Sequence, residues 1–273
     1  MERKSKRYLL YLFNLLIGIL IIAPILYGLS LSFMTSDEIF SYPPKLFPSS
    51  INWENYKQAL DTVPILNFIF NSFFVSITVT LGQVLTSCLA AYAFSYFNFR
   101  GKNLLFILSL STMMIPSEST IIANYLTVAK LGWTDSYLGL VVPFLVSAMG
   151  IFLIRQFYLT VPKELKEAAT IDGCSNFRFF IKVLLPISKP VISSLGVYTF
   201  LNTWNQYLWP LLVTNAPERR TVQIGISMLK FSESQNIGLI FAGVIMIILP
   251  SLVIFIIGQK QLINGITTGA IKG

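Results

Sequence analysis

Apolar residues come in long, almost uninterrupted stretches along this chain, and the short segments between them hold most of the charge. Stretches at about 9–33, 65–95, 104–130, 137–155, 187–212 and 237–258 stand out against the roughly 20 apolar residues that a helix needs to cross a bilayer. The pattern predicts an all-α, polytopic membrane protein with six transmembrane helices in a single membrane domain, residues 1–273. The third stretch is interrupted by Pro116. The first follows Met-Glu-Arg-Lys-Ser-Lys-Arg and runs from Tyr8 to about Phe33. It is longer than the apolar core of a signal peptide and lacks an Ala-x-Ala end, so it reads as an uncleaved span. Neither low-complexity tracts nor internal repeats are evident.

Composition agrees with this reading. Hydrophobic residues make up 54% of the chain and charged ones 12%, against about 25% charged in ordinary globular proteins. The net charge of +8 raises the question of nucleic acid, but the charges sit in clusters between the apolar stretches, as the positive-inside rule describes. With the N-terminus placed in the cytoplasm, 14 of the 20 Lys and Arg fall in inside segments and 6 outside, which favours two cytoplasmic termini. Eight of the 12 acids lie outside or within the third span. Cys88 and Cys174 are far apart and match neither a metal site nor a disulfide framework. The absence of His excludes a His-based metal site and a Ser-His-Asp triad.

Pro24, Pro116, Pro143, Pro210 and Pro250 fall in or at the edges of the spans. Each removes a backbone donor and tends to kink its helix, which a bundle tolerates where neighbouring helices or a cavity meet the freed carbonyls. Between the first two spans, the segment 34–64 carries Pro43, Pro44 and Pro48 and is expected to be extended. Trp53 and Tyr56 then suit an interfacial anchor opening a short amphipathic helix, or a plain connector.

The longest inside segment, about 156–185, reads as a helix, a sharp turn and a second helix. Pro162 suits a first helical position, and Glu164 and Glu167 lie in early turns where the helix dipole favours acids. Leu165, Ala168, Ala169 and Asp172 fall on one small, smooth face. Gly173 is a natural left-handed stop, Ser175 can cap the next helix, and Phe177, Phe180, Ile181 and Leu184 make an apolar stripe. Such a helix could seat in a cleft on another protein or simply cover the ends of the bundle.

The order Glu167-Ala168-Ala169-x-x-Asp172-Gly173, with Pro186 beyond it, resembles the EAA motif of binding-protein-dependent ABC permeases, with Cys174 where that family usually has Ala. Asn71-Ser72, Phe152-Leu-Ile-Arg-Gln-Phe157, Trp204-Asn-Gln-Tyr-Leu-Trp-Pro210 and the tail from Gly265 to Gly273 extend the likeness over nearly the whole chain. It is similar to the maltose-type permeases and still more to their glycerol-3-phosphate branch. The resemblance implies an ABC type I importer permease fold in the bacterial inner membrane. It makes Glu164, Glu167, Ala168, Ala169, Asp172 and Gly173 the coupling segment that seats in an ATPase subunit, and places Thr268, Gly269 and Lys272 in a tail between two ATPase subunits. It further implies a second, homologous permease, two ATPase subunits, an extracytoplasmic solute-binding protein and surrounding lipid as partners. No cofactor is expected on this chain, since ATP and Mg would sit on the ATPase. The chain has no Gly-x-x-x-x-Gly-Lys-Ser/Thr loop and is not itself expected to be an enzyme.

For the translocation pathway, Thr199, Asn202, Asn205, Gln206 and Trp209 are expected on one face of the fifth span, with Trp204 beside them. Polar side chains at membrane depth face protein or water, and amides next to aromatic rings suit sugar hydroxyls. Helix–helix hydrogen bonding is the other account of that face. Glu118, just past Pro116, lies about 21 Å along the third span by simple helical rise, and an intramembrane carboxylate is a pathway candidate. A membrane-embedded enzyme would want clustered acids, His or Cys, and an ion-coupled carrier would want several buried ionisable groups. Neither pattern is present. A di- or oligosaccharide is the expected solute, with glycerol-3-phosphate or a related glycerophosphodiester as the alternative. No Lys or Arg lies deep in a span, so an anion would draw its countercharge from the partner permease.

Overall fold

The computed structural model describes residues 2–232 and 236–270, and its regular elements are helices throughout them. In chain order, α1 (Glu2–Ser32) leads through the short α2 (Ser36–Ile39) and α3 (Glu54–Thr62) into α4 (Ile65–Tyr96). Next come α5 (Lys102–Ser111), α6 (Ser117–Lys130), α7 (Tyr137–Val141) and α8 (Ala148–Tyr158). A short α9 (Lys163–Ile171) precedes α10 (Asn176–Phe179), which widens into a π-helical segment at Phe180–Leu184 before α11 (Leu185–Ile187). The chain then forms α12 (Lys189–Trp204), α13 (Leu208–Val213), α14 (Val222–Ser232) and α15 (Ile237–Ala270).

Leu10–Ser32, Ile65–Tyr96 and Ile237–Lys260 are each long and apolar enough to cross a membrane, and among the described residues the number reaches six if each of three bent pairs counts as one span. The bends are 101° between Lys102–Met114 and Ser117–Lys130, 41° between Tyr137–Phe144 and Ala148–Tyr158, and 75° between Asn176–Ile187 and Lys189–Trp204. Prolines explain where the chain breaks. Ile115, just before Pro116, is extended, as the clash of a proline ring with its predecessor requires. Pro186 would press its ring on the carbonyl of Lys182, and that residue lies in the wide π turn, which moves the carbonyl out of the way. The fifth span therefore does not run unbroken from 187 to 212. Its helix stops at Trp204 and resumes at Leu208, because Pro210 cannot share a regular helix with the carbonyl of Gln206. The 101° turn also means that the distance of Glu118 along the third span cannot be counted as straight helical rise.

Two compact units make up the chain: Met1–Leu66 with Gly225–Leu249, and Asn67–Ile224 with Pro250–Gly273. In the first, Trp53 sits at the cap position just before α3, and Phe33, Trp53 and Tyr56 pack ring against ring at 5.1–5.6 Å. The buried Asn55 donates to the carbonyls of Ser32 and Met34 at 2.9 and 2.8 Å, closing the frayed end of α1. The connector ahead of it is not wholly extended. Thr35 and Glu38 form a capping box around α2, and hydrogen bonds from Ser49 hold the Glu38 carboxyl at about 2, below its usual range.

In the second unit, α4 satisfies the backbone that prolines leave exposed. Gln83 donates to the carbonyl of Phe144, and Thr86 to that of Leu145, both at 2.8 Å and both at the break before α8. Thr199 of α12 donates in turn to the Gln83 side-chain oxygen at 3.1 Å. Pro143 has no N–H to offer the carbonyl of Gly139, and the buried Trp209 indole supplies the missing donor at 3.0 Å. Each such bond spares the apolar interior an unmet carbonyl, which costs about 1–3 kcal/mol when left alone.

Candidate functional site

Two regions of the second unit gather the side chains singled out by sequence. The first is the segment 162–188. Its helix begins after Pro162, which sits at the cap position with extended ψ, one residue before the first helical position. The C-terminal end forms a Schellman motif. The N–H of Gly173 donates to the carbonyl of Thr170 at 3.0 Å and that of Cys174 to Ala169 at 2.8 Å. Gly173 has φ +71° with open space where a Cβ would lie, so the turn itself selects glycine. Ser175 caps α10 by accepting from the N–H of Arg178.

This segment is seated on an aromatic core formed by the ends of its neighbours. Tyr92, Ile154, Tyr158, Phe179, Phe180 and Leu184 are buried there, and Ala169 and Cys174 pack against them. The Tyr92 hydroxyl donates to the carbonyl of Asn176 at 2.9 Å. Lys166 donates to the Asn176 side chain at 2.6 Å and lies over the Phe179 ring at 4.8 Å. The face expected to be uniformly small is thereby divided. Ala169 turns towards the core, while Glu164, Leu165, Glu167, Ala168, Ile171 and Asp172 are exposed. Only part of the apolar stripe is buried. Phe179, Phe180 and Leu184 are buried, whereas Phe177 and Ile181 are 66% and 45% exposed. The π turn adds a residue to one turn and rotates the buried register. Thr268 and Gly269 fall in the final turns of α15, where only the backbone is described, and Lys272 lies outside the described residues.

The second region is a cleft of about 230 Å³ behind the break at Pro116. Its lining includes Glu118, Gln206 and Trp209, three of the seven pathway candidates, together with Ser117, Asn124 and Tyr207, which sequence reading did not single out. Glu118 accepts from the Ser117 hydroxyl at 3.0 Å. None of the residues lining this cleft is Lys or Arg.

The single polar face expected from Thr199 to Trp209 does not exist, because the helix ends between them. Thr199 is spent on Gln83. Asn202 and Asn205 are exposed, and each donates to the carbonyl four residues earlier in its own helix. Asn205 also accepts from Gln223 at 3.3 Å. Trp204 is 1% exposed, with the Phe73 and Phe200 rings at 4.9 and 5.8 Å. It is a packing residue, and each such ring pair contributes about 0.5–1.5 kcal/mol beyond its burial.

A hydrogen-bonded clasp holds the loop 214–222. The wholly buried Asn71 donates to the carbonyls of Glu218 and Arg220 at 2.8 and 2.9 Å and accepts from the Tyr137 hydroxyl at 2.6 Å. Ser72 accepts from the N–H of Val222 at 3.0 Å. The carboxylate of Asp135 accepts from the N–H groups of Ala216 and Asn215 at 2.7 and 2.5 Å. These bonds, the Ala216 one foremost, hold the Asp135 carboxyl below its ordinary value. The pair Asn71-Ser72 carried only a resemblance in the sequence, and here it has a structural task.

Comparison with known proteins extends this picture. Residues 83–261 match the model of the family described as binding-protein-dependent transport system inner membrane component. The chain is 36% identical over 261 residues to the sn-glycerol-3-phosphate transport system permease protein UgpE of Pectobacterium atrosepticum, covering 92% of this chain and 93% of that one. It is 37% identical over 262 residues to the protein of the same description from Rhizobium meliloti, with the same coverage. Among solved structures, one chain of a bacterial ABC transporter involved in the import of the acidic polysaccharide alginate superposes with a TM-score of 0.83 at 22% identity. That match covers 94% of this chain and 97% of the other, and it supports the fold.

Proposed function

The chain belongs to the family of binding-protein-dependent transport system inner membrane components, and from that premise we propose that it moves sn-glycerol-3-phosphate, or a solute of the same polyol-phosphate class, into the cytoplasm. As a member of the family it is a non-catalytic, multi-pass inner-membrane permease of an ABC importer, and it works with an ATPase and a periplasmic binding protein. The observation that carries the solute is the 36–37% identity over 92% of the chain to permeases described as transporting sn-glycerol-3-phosphate. A neutral di- or oligosaccharide is the second reading. It draws on the cleft at Glu118, where a carboxylate, amides and aromatic rings meet without a cation. For the phosphate ester, the countercharge comes from a homologous second permease.

The coupling role goes to the exposed face of α9. Glu164, Glu167, Ala168 and Asp172 stand clear of the core, as a surface must that seats in an ATPase subunit. Ala169, Cys174 and Lys166 tie the same helix to the core, so a push on it reaches the spans. Two ATPase subunits carry the ATP and Mg, both termini lie in the cytoplasm, and the tail around Thr268 and Gly269 approaches the ATPase pair. The charge asymmetry of the loops supports that orientation.

The solute is tested by purifying the complete importer with its binding protein, placing it in proteoliposomes and measuring ATP-dependent uptake of labelled glycerol-3-phosphate and labelled maltose side by side. Saturable glycerol-3-phosphate uptake is expected. Uptake of the disaccharide alone would replace the first reading with the second.

A further inference from the structure

A basic cleft remains after the coupling segment, the Glu118 cleft and the clasp have been assigned. It is an open pocket of about 470 Å³ lined by Asn98, Phe99, Gly101, Lys102, Asn103, Leu104 and Arg155, at the turn between α4 and α5. Two cations from separate elements meet there, and both are half-buried. The Lys102 ammonium donates to the carbonyl of Phe97 at 2.9 Å, which leaves two of its three donors unspent. The Arg155 guanidinium lies over the Phe106 ring at 4.0 Å, and its Nε donates to the carbonyl of Phe94 at 3.4 Å. Ring and carbonyl hold the guanidinium plane in place, and its two terminal nitrogens have no protein partner among the described residues. Neither cation pairs with a carboxylate; the ion pair among the described residues is Lys45–Glu38.

Two fixed cations with spare donors and flanking amides form a receptor for a tetrahedral oxyanion, and a guanidinium fork matches phosphate geometry. What adjoins the cleft narrows the source. Leu104 lines it, and along α5 from that point Leu104, Ile107 and Leu108 are 62%, 61% and 52% exposed. A polar pocket opening onto an apolar strip on a spanning helix has the two-part character of a phospholipid. We propose that this cleft binds the phosphate of an anionic membrane phospholipid, with an acyl chain lying along Leu104, Ile107 and Leu108. The orientation proposed above puts that lipid in the cytoplasmic leaflet, where basic pockets between spanning helices meet acidic headgroups.

The site stands between two functional parts. Arg155 belongs to α8, which runs on to the coupling segment, while Lys102 opens α5, which leads to the break at Pro116 and the Glu118 cleft. A headgroup held by both cations bridges these two helices and steadies one against the other.

The test is native mass spectrometry of the complete purified importer, titrated with phosphatidylglycerol or phosphatidylcholine of matched chains. Wild type is expected to retain phosphatidylglycerol in preference to phosphatidylcholine. Lys102→Gln and Arg155→Gln should each weaken that retention about fivefold, while Lys57→Gln, which removes an exposed charge elsewhere, should not change it. Inorganic phosphate in tenfold excess over lipid should leave retention unaltered. Displacement by inorganic phosphate would reassign the cleft to a free anion and overturn the lipid. Equal retention by wild type and Lys102→Gln would overturn the site even if Arg155→Gln failed to assemble. The readout uses neither solute nor transport, so it stands or falls apart from the assignment of the transported molecule.

Discussion

The loop 214–222 and the segment 162–174 both connect helices, yet they are built to opposite ends. The loop is completed from within. Asn71, Ser72 and Asp135 reach it from other elements and take up five of its backbone groups. The segment is anchored along one side, by Ala169, Lys166 and Cys174, and bare on the other, where Glu164, Glu167, Ala168, Ile171 and Asp172 are exposed. A connector finished on itself serves as a fixed support. One finished on a single side leaves a surface open for the docking proposed above. If α9 takes the coupling role proposed for it, the contrast separates the part of the permease that holds its shape from the part that receives force.

The sharpest way to break the contrast is to spoil the bare side. Gly173→Arg or Glu167→Lys should abolish uptake while the subunit still reaches the membrane, read by transport assay and membrane immunoblot; normal transport would remove the docking role. Gly173→Ala isolates the turn from the surface. It adds only a methyl in open space at a left-handed position, which costs about 1–2 kcal/mol, and uptake should fall only in part.

Next in size is the clasp. Asn71→Leu removes the donor to the carbonyls of Glu218 and Arg220 and the acceptor of the Tyr137 hydroxyl, leaving Asn67 as the remaining side-chain donor to Glu218 at 3.1 Å, at a cost of about 2–3 kcal/mol. The melting temperature of the purified complex should drop by several degrees, and ATPase-subunit association should be unchanged. Lost association would place both connectors in one mechanical element.

A smaller effect concerns acid. The Asp135 carboxyl is held below its ordinary value of 3.8, so its stabilisation is fully present above that value and fades as pH falls through the lower folded one. Protease cleavage of loop 214–222 should therefore rise only in strong acid, and Asp135→Asn should show raised cleavage that no longer varies with pH. The smallest change is expected from Asn205→Leu. Its side chain bonds are exposed and contribute under about 1 kcal/mol, so stability should hardly move. If uptake changes as well, the residue borders the pathway; unaltered uptake would make it part of the scaffold alone.

What could be read from sequence follows the range of the interaction involved. Gly173 and Ser175 were legible because a left-handed stop and a helix cap are decided within a few residues. The apolar stretches were legible for the same reason, and so was the Pro116 break. Misreadings arose where a regular helix was assumed across a local break, or where distant groups decide. A face drawn from Thr199 to Trp209 assumes an unbroken helix, and Pro210 ends that helix at Trp204. The apolar stripe of Phe177, Phe180, Ile181 and Leu184 assumes regular turns, and the π segment before Pro186 interrupts them. Asn71 meets a loop about 150 residues away, and periodicity carries no trace of such a bond. Glu118, Gln206 and Trp209 did converge on one cleft, although the helices that bring them together are bent in ways that counting could not anticipate.

The Schellman turn has a mechanical corollary. From Glu167 to the ring of Phe179 the chain passes through a hydrogen-bonded helix end, a capped helix start and almost nothing loose between them. A linkage of that kind leaves little slack between the surface proposed to meet the ATPase and the aromatic core beneath it. If α9 takes the coupling role proposed for it, one extra glycine inserted after Gly173 would give the joint play, and strokes of the motor would be absorbed there while the spans stood still.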